Sequence, residues 1–303
     1  MSELAALQRR LASADFLSVS EKAPGFIAID VKTAFSTATI ALQGAHVMTW
    51  QPVACKPVIW LSKAAKFAPG KSIRGGVPLC WPWFGPHATE TAYPGHGFAR
   101  TIPWDLIDAR KLPDGRVRLE FEPVMNDAAR AQWPHASTVK YSVTVGQELV
   151  VGLTTRNVGE RPFVLGQALH TYFEIGDIRQ VSVAGLAGCP YLDKVDGGKR
   201  KKQKGDVTFS GETDRVYLDT AGCCGIVDPV MKRTILITST GSRSTVVWNP
   251  GADKAAKMGD FGKQGENKMV CVETANAVDD VITLLPGQTH RMTAQYRVIK
   301  HGR

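Results

Sequence analysis

The chain has 303 residues, a formal charge of +9, 44% hydrophobic residues and 21% charged residues. These values exclude a disordered polyelectrolyte, a collagen and a coiled coil, and leave ample chain for a large core. No apolar run of about 18 residues occurs, so no membrane span is expected. The first residues, MSELAALQRRLASADF, carry Glu3, Arg9, Arg10 and Asp15 where a secretory signal needs an unbroken apolar stretch. A cytoplasmic location is therefore expected. Six cysteines are present without a C-x-x-C pair, which reads as free thiols and no metal or redox site. The vicinal Cys223 and Cys224 read as two buried small residues.

Leu4, Leu7 and Leu11 share one face of an amphipathic helix over residues 3 to 15. From there the pattern is mostly strands. Phe26 to Val31 is the first, and Thr39 to Leu42 and His46 to Trp50 flank a bend at Gln43-Gly44-Ala45. Arg116 to Glu122 alternates with period two. Thr138 to Val145 and Glu148 to Asn157 form a hairpin about Gly146-Gln147. Later strands are expected at Phe163 to Ala168, Arg233 to Thr238, Ser244 to Trp248, Met269 to Glu273, Val281 to Leu285 and His290 to Ile299. Ala252 to Met258 has room for a turn or two of helix. Many strands without alternating helices argue against a parallel sheet and for antiparallel sheets packed face to face. No linker divides the chain. The organisation expected is a helical extension over residues 1–20 and one β-sandwich domain over residues 21–300.

The run Lys199-Arg200-Lys201-Lys202-Gln203-Lys204 supplies five of the positive charges, leaving +4 without it. No interleaved aromatics accompany it, so a solvated loop is expected and no nucleic-acid partner.

Four segments could carry chemistry. Ser72 to Gly85, SIRGGVPLCWPWFG, sets glycines and aromatics about Arg74. That composition suits a sugar face and an anion, or a loop packed on the core by its tryptophans. Pro94 to Arg100, PGHGFAR, places His96 and Arg100 on glycine-rich backbone. Gln167 to Phe173, QALHTYF, ends an apolar strand with His170, and period two puts Ala168, His170 and Tyr172 on one face. A satisfied core histidine would look the same. In Met269 to Asn276, MVCVETAN, the carboxylate of Glu273 follows four apolar residues, and burying it is costly unless it is paired or used.

Taken in order, IRGG-P-CWPWFG, HGFAR, ALHTYF, TDRVY, VVWNP and CVETAN closely resemble the hexose-6-phosphate mutarotases, the glucose-6-phosphate 1-epimerase branch of the aldose 1-epimerase family. The resemblance runs from about residue 26 to residue 296. It implies an all-β supersandwich of two large antiparallel sheets with a sugar site on a concave face. It implies His170 as general acid and Glu273 as general base, with Arg74, His96, Arg100 and Asp214 binding substrate, and neither metal nor cofactor. The activity implied is exchange of the α and β anomers of a hexose 6-phosphate, with glucose 6-phosphate as the substrate expected and a monomer as the working form. A non-catalytic phosphosugar-binding module and a mutarotase of unphosphorylated aldoses are the alternatives. The acid–base pair argues against the first and the two arginines against the second.

Overall fold

The computed structural model describes residues 2–302. The first helix, Glu3–Arg10, is capped by Ser2, whose hydroxyl accepts from the Ala5 amide at 3.3 Å. It buries Leu7 on the core. It is shorter than its periodicity predicts because the chain is drawn into a strand, Leu17–Ala23, paired with Phe26–Lys32. That strand crosses residue 20, so the N-terminal segment joins the sheet structure directly. Ser36–Ala41 and His46–Pro52 complete a four-stranded antiparallel sheet in chain order.

Two eight-stranded antiparallel sheets form the body. One runs, in spatial order, Lys199–Lys202, Pro190–Asp193, Thr213–Leu218, Ser244–Asn249, Met269–Asn276, Gln167–Leu169 and Leu79–Cys80, with Tyr172–Glu174 also paired to Met269–Asn276. The other contains the expected hairpin, Ser137–Val145 with Leu149–Asn157, and the long strand Thr289–Lys300. Alternation along the first sheet decides what packs between the two. Val270, Val272, Val247, Leu169 and Phe173 turn inward and join Val151, Leu153, Ile235 and Tyr296 in one core. Phe173 meets Tyr296 edge-on at 5.1 Å, and Thr171 and Tyr296 share a hydrogen bond of 2.6 Å across the sheets. Burying such side chains is worth about 1.5–3 kcal/mol each, which anchors the strands that carry the opposite face. On that face stand Cys271, Glu273, Ala275, Val246 and Trp248.

Two expectations are corrected here. The basic run is not a loop: Lys199–Lys202 is the edge strand of the first sheet. Its charges are compensated locally. Lys201 reaches Asp193 and Asp196, both at 2.8 Å, and Arg200 reaches Asp279 at 2.7 Å. Lysines on an exposed edge also discourage pairing with another chain. Three strands separate it from the Glu273 strand, which at about 4.8 Å per strand puts it about 19 Å away. Neutralising Lys199, Arg200, Lys201, Lys202 and Lys204 together is expected to leave turnover within about twofold, because surface charge at that range is largely screened. Steady-state rates at physiological salt test this, and a large rise in KM would contradict it.

Cys223, the first residue of the strand Cys223–Asp228, is exposed, and of the pair only Cys224 is buried. All six thiols are unpaired.

Candidate active site

Glu273 lies in Met269–Asn276, a strand buried along its whole length, opposite Val246. On the other side the neighbouring chain is interrupted. Gln167–Leu169 pairs with residues 274 to 276 and Tyr172–Glu174 with residues 269 to 271. Between them His170 leaves the ladder, its amide donating to the Pro78 carbonyl at 3.0 Å. This break turns the imidazole toward Glu273, with His170 Nε2 3.4 Å from Glu273 Oε1. Tyr172 stacks on the ring at 5.0 Å and 14°, and Trp248 meets it edge-on at 5.9 Å, which fixes its plane. Glu273 Oε2 and His170 Nδ1 are buried without a hydrogen-bond partner among the described residues.

An open cavity of about 290 Å³ is lined by all six residues singled out from the sequence: Arg74, His96, Arg100, His170, Asp214 and Glu273. His96 adopts a left-handed backbone (φ 68°), donates its amide to Gly85 at 2.7 Å and packs against Phe84. The next residue, Gly97, allows the close approach that sets this segment. A Cβ there would lie 2.0 Å from the Trp81 carbonyl oxygen, at φ +70°. Gly97→Ala should therefore displace His96 and Arg100. It is expected to cost about 1–3 kcal/mol for overpacking and about 1–2 kcal/mol for the left-handed backbone. A urea unfolding midpoint unchanged from wild type would contradict this.

The two arginines are not equivalent. Arg74 is held: its Nε donates to Asp260 at 3.0 Å, its Nη1 to the Tyr172 hydroxyl at 2.9 Å, and its guanidinium lies 5.1 Å from the Phe261 ring centre. Two of its five donors are thereby taken. Among the described residues the Arg100 side chain makes one hydrogen bond, from Nη2 to the Gly95 carbonyl at 2.9 Å, and is the freer donor. Asp214, opposite Trp248 in the sheet, brings a second carboxyl into the cavity.

Burial governs the protonation of this group. It pushes the Glu273 carboxyl well above the usual range, with Asp214 adding to the rise and Arg100 opposing it. It pushes His170 well below 6.5, reinforced by His96 and Arg100. His96 is lowered to about 4 by burial and then by Arg100. The donor atoms of His170, Cys271 and Glu273 lie within 4.8 Å of one another. Burial holds the Cys271 thiol well above its ordinary pKa, which opposes the thiolate a metal would need. What the group offers directly is a carboxyl and an imidazole able to exchange protons with one bound molecule.

Sequence reasoning did not single out Asp260, Lys254 or Met258. Asp260 pairs with Arg74 from 186 positions away, and the other two line the cavity from the helix Gly251–Met258. No local pattern marks any of them. Of the aromatics in the CWPWFG segment, Phe84 lines the cavity. Trp81 belongs to the core and donates to Thr155 at 3.1 Å, while Trp83 packs beside His87 and Tyr93.

The sequence pattern of the aldose 1-epimerase family matches residues 28–297. The chain belongs to the aldose 1-epimerase family. Within this family, it is 43% identical over 241 residues to an Escherichia coli K12 protein provisionally named glucose-6-phosphate 1-epimerase, covering 79% of this chain and 80% of that one. Its fold superimposes on a Salmonella typhimurium crystal structure provisionally described as a mutarotase. The TM-score is 0.87 at 35% identity, covering 98% of this chain and 100% of that one. A galactose mutarotase-like protein from Lactobacillus casei shares the fold at a TM-score of 0.70 and 14% identity, over 90% of this chain and 100% of that one. The supersandwich expected from the resemblance is thus the observed architecture, and the family's chemistry is epimerisation of a sugar.

Proposed function

We propose that this epimerase interconverts the α and β anomers of a hexose 6-phosphate, with glucose 6-phosphate as substrate, and that Glu273 and His170 carry the proton transfers. The observation that supports this most is the 3.4 Å approach of Glu273 and His170 in a cavity rimmed by Arg74 and Arg100. The name of the Escherichia coli relative supports the same substrate.

Ring opening needs a base for the anomeric hydroxyl proton and an acid for the ring oxygen. Glu273 takes the first proton and His170 gives the second. The O–C1 ring bond breaks, the aldehyde turns about C1–C2, and reclosure with the protons returned yields either anomer. The net proton count is unchanged, so no co-reactant is consumed. The pair carries one exchangeable proton. Burial favours its uncharged distribution, and the reactive distribution, carboxylate with imidazolium, differs only by moving that proton from Glu273 to His170. Rate should fall when the pair gains a second proton or loses its only one. Because His170 is pushed down, the acid limb of kcat/KM belongs below pH 6.5. Because Glu273 is pushed up, the alkaline limb lies well above the ordinary carboxylate range. An alkaline limb at an ordinary carboxylate pKa, or an acid limb above pH 6.5, would contradict this.

A second reading, mutarotation of unphosphorylated aldoses, is favoured by one observation: Arg74 is already engaged by Asp260 and Tyr172. The deciding experiment compares kcat/KM for glucose 6-phosphate and glucose. Phosphate recognition predicts a preference of at least about tenfold, one charge-assisted contact's worth. Equal values would establish the second reading.

A further inference from the structure

Behind the Arg74 wall lies a larger cavity, of about 830 Å³, that proton transfer and sugar binding do not use. Its size is within the range of about 300–1,000 Å³ typical of ligand pockets. Five lysines line it, Lys56, Lys63, Lys232, Lys263 and Lys268, against one carboxylate, Glu174. The lysines come from three separate stretches of chain, so only the fold gathers them. None is ion-paired among the described residues. The lysines that do pair with carboxylates are Lys22, Lys140, Lys199, Lys201 and Lys254, all elsewhere. Lys268 donates to the Gly176 carbonyl at 2.6 Å, which holds its ammonium at the cavity wall.

Apart from Gln264 and glycine backbone, the rest of the lining is apolar. Val230 is 48% exposed beside Met231, and Trp60, Ile175 and Phe261 form the floor. The cleft thus combines a net positive charge, five lysines against one carboxylate, with an exposed apolar side chain, Val230. It suits a ligand with one apolar and one strongly anionic part. Like charges about a cleft with low-dielectric walls also focus the field into it. Burial raises the Glu174 carboxyl, and Arg233, Lys63, Lys268 and Lys56 oppose the rise, so one carboxylate faces several cations.

We propose that this cavity is a second ligand site, taking a small polyanion with an apolar body, the chemistry of a nucleoside polyphosphate. The site is separate from the sugar cavity. Trp60, stacked on Tyr172 at 5.9 Å, and Phe261, beneath Arg74, stand between the two.

The test is calorimetric titration of the full chain with ATP, with tripolyphosphate as the comparison. Three proteins are used: wild type, the triple variant Lys63→Gln, Lys232→Gln, Lys263→Gln, and Arg100→Ala. Thermal unfolding first confirms that each is folded. ATP is expected to bind wild type in a salt-sensitive manner and at least about tenfold more tightly than tripolyphosphate, through the apolar contact. The triple variant should lose about tenfold or more in ATP affinity, and Arg100→Ala should lose none. Absent ATP binding, or equal binding by the triple variant, would overturn the proposal. Parity between ATP and tripolyphosphate would overturn the apolar half of it. Loss in Arg100→Ala would place the anion in the sugar site and overturn the separation. None of these outcomes depends on anomer exchange, so the epimerase reading stands or falls independently.

Discussion

Glu273→Gln is expected to cut anomer exchange by about 10²–10⁴-fold while making the folded protein more stable at neutral pH. Both effects come from one feature. The carboxyl is 1% exposed, one oxygen has no partner among the described residues, and the imidazole beside it is one that burial keeps neutral. The amide has nearly the same shape and keeps a carbonyl oxygen near His170, but it cannot accept the anomeric proton. The stability effect has a defined sign. The folded pKa of Glu273 lies above its ordinary value of 4.5, so over the interval between them the folded chain binds more protons than the unfolded chain. Stability from this group is full below pH 4.5 and is lost as pH rises through the folded pKa. Glutamine has no such loss. The variant's melting temperature should therefore exceed wild type by a margin that widens as pH rises above 4.5. His170→Asn should lose rate on the same order. It also removes a group whose lowered pKa costs stability as pH falls below 6.5. A Glu273→Gln protein that is markedly less stable at pH 7 would show that the carboxylate is compensated by something other than chemistry.

Arg100→Ala should weaken use of a phosphorylated hexose by about 10- to 150-fold, from the loss of one charge-assisted contact worth about 1.5–3 kcal/mol. Exchange on the free hexose should fall far less, because that substrate never made the contact. Arg100→Lys should recover only part of the loss, since the ammonium keeps the charge and not the planar fork. Arg74→Ala has a different signature. Arg74 ties Asp260 to Tyr172, which in turn stacks on His170. Removing it should lower kcat with both substrates as well as affinity for the phosphorylated one. If the ratio of kcat/KM between the two sugars is the same in wild type and Arg100→Ala, Arg100 does not read the phosphate.

Much of this was legible before the fold was known, for identifiable reasons. The hairpin about Gly146-Gln147 follows from period-two alternation and a turn signal, and it forms between Ser137–Val145 and Leu149–Asn157. The same alternation placed Ala168, His170 and Tyr172 on one face. That face is the one bearing Cys271 and Glu273, because Ala168 pairs with Ala275 and Tyr172 with Cys271. The break in the ladder that turns His170 toward Glu273 had no signal, since ALHTYF reads as one uninterrupted strand. The partners of Arg74 were invisible for a related reason: Asp260 and Tyr172 are joined to it only by the fold. The basic run reads as a loop because charge patterning reports solvent and not hydrogen bonding, and an exposed edge strand is equally wet. The five lysines of the second cavity are scattered from residue 56 to residue 268, and composition alone spreads them over the surface.

The most direct measurement is magnetisation-exchange NMR on the C1 protons of glucose 6-phosphate at equilibrium, with wild-type and Glu273→Gln protein at equal concentration. The α and β signals report their interconversion without a coupling enzyme. The structure predicts exchange well above the spontaneous rate with wild type, and a fall of about 10²–10⁴-fold in the catalysed rate with the variant. Exchange at the spontaneous rate with the wild-type protein, or undiminished exchange with Glu273→Gln, would contradict the account.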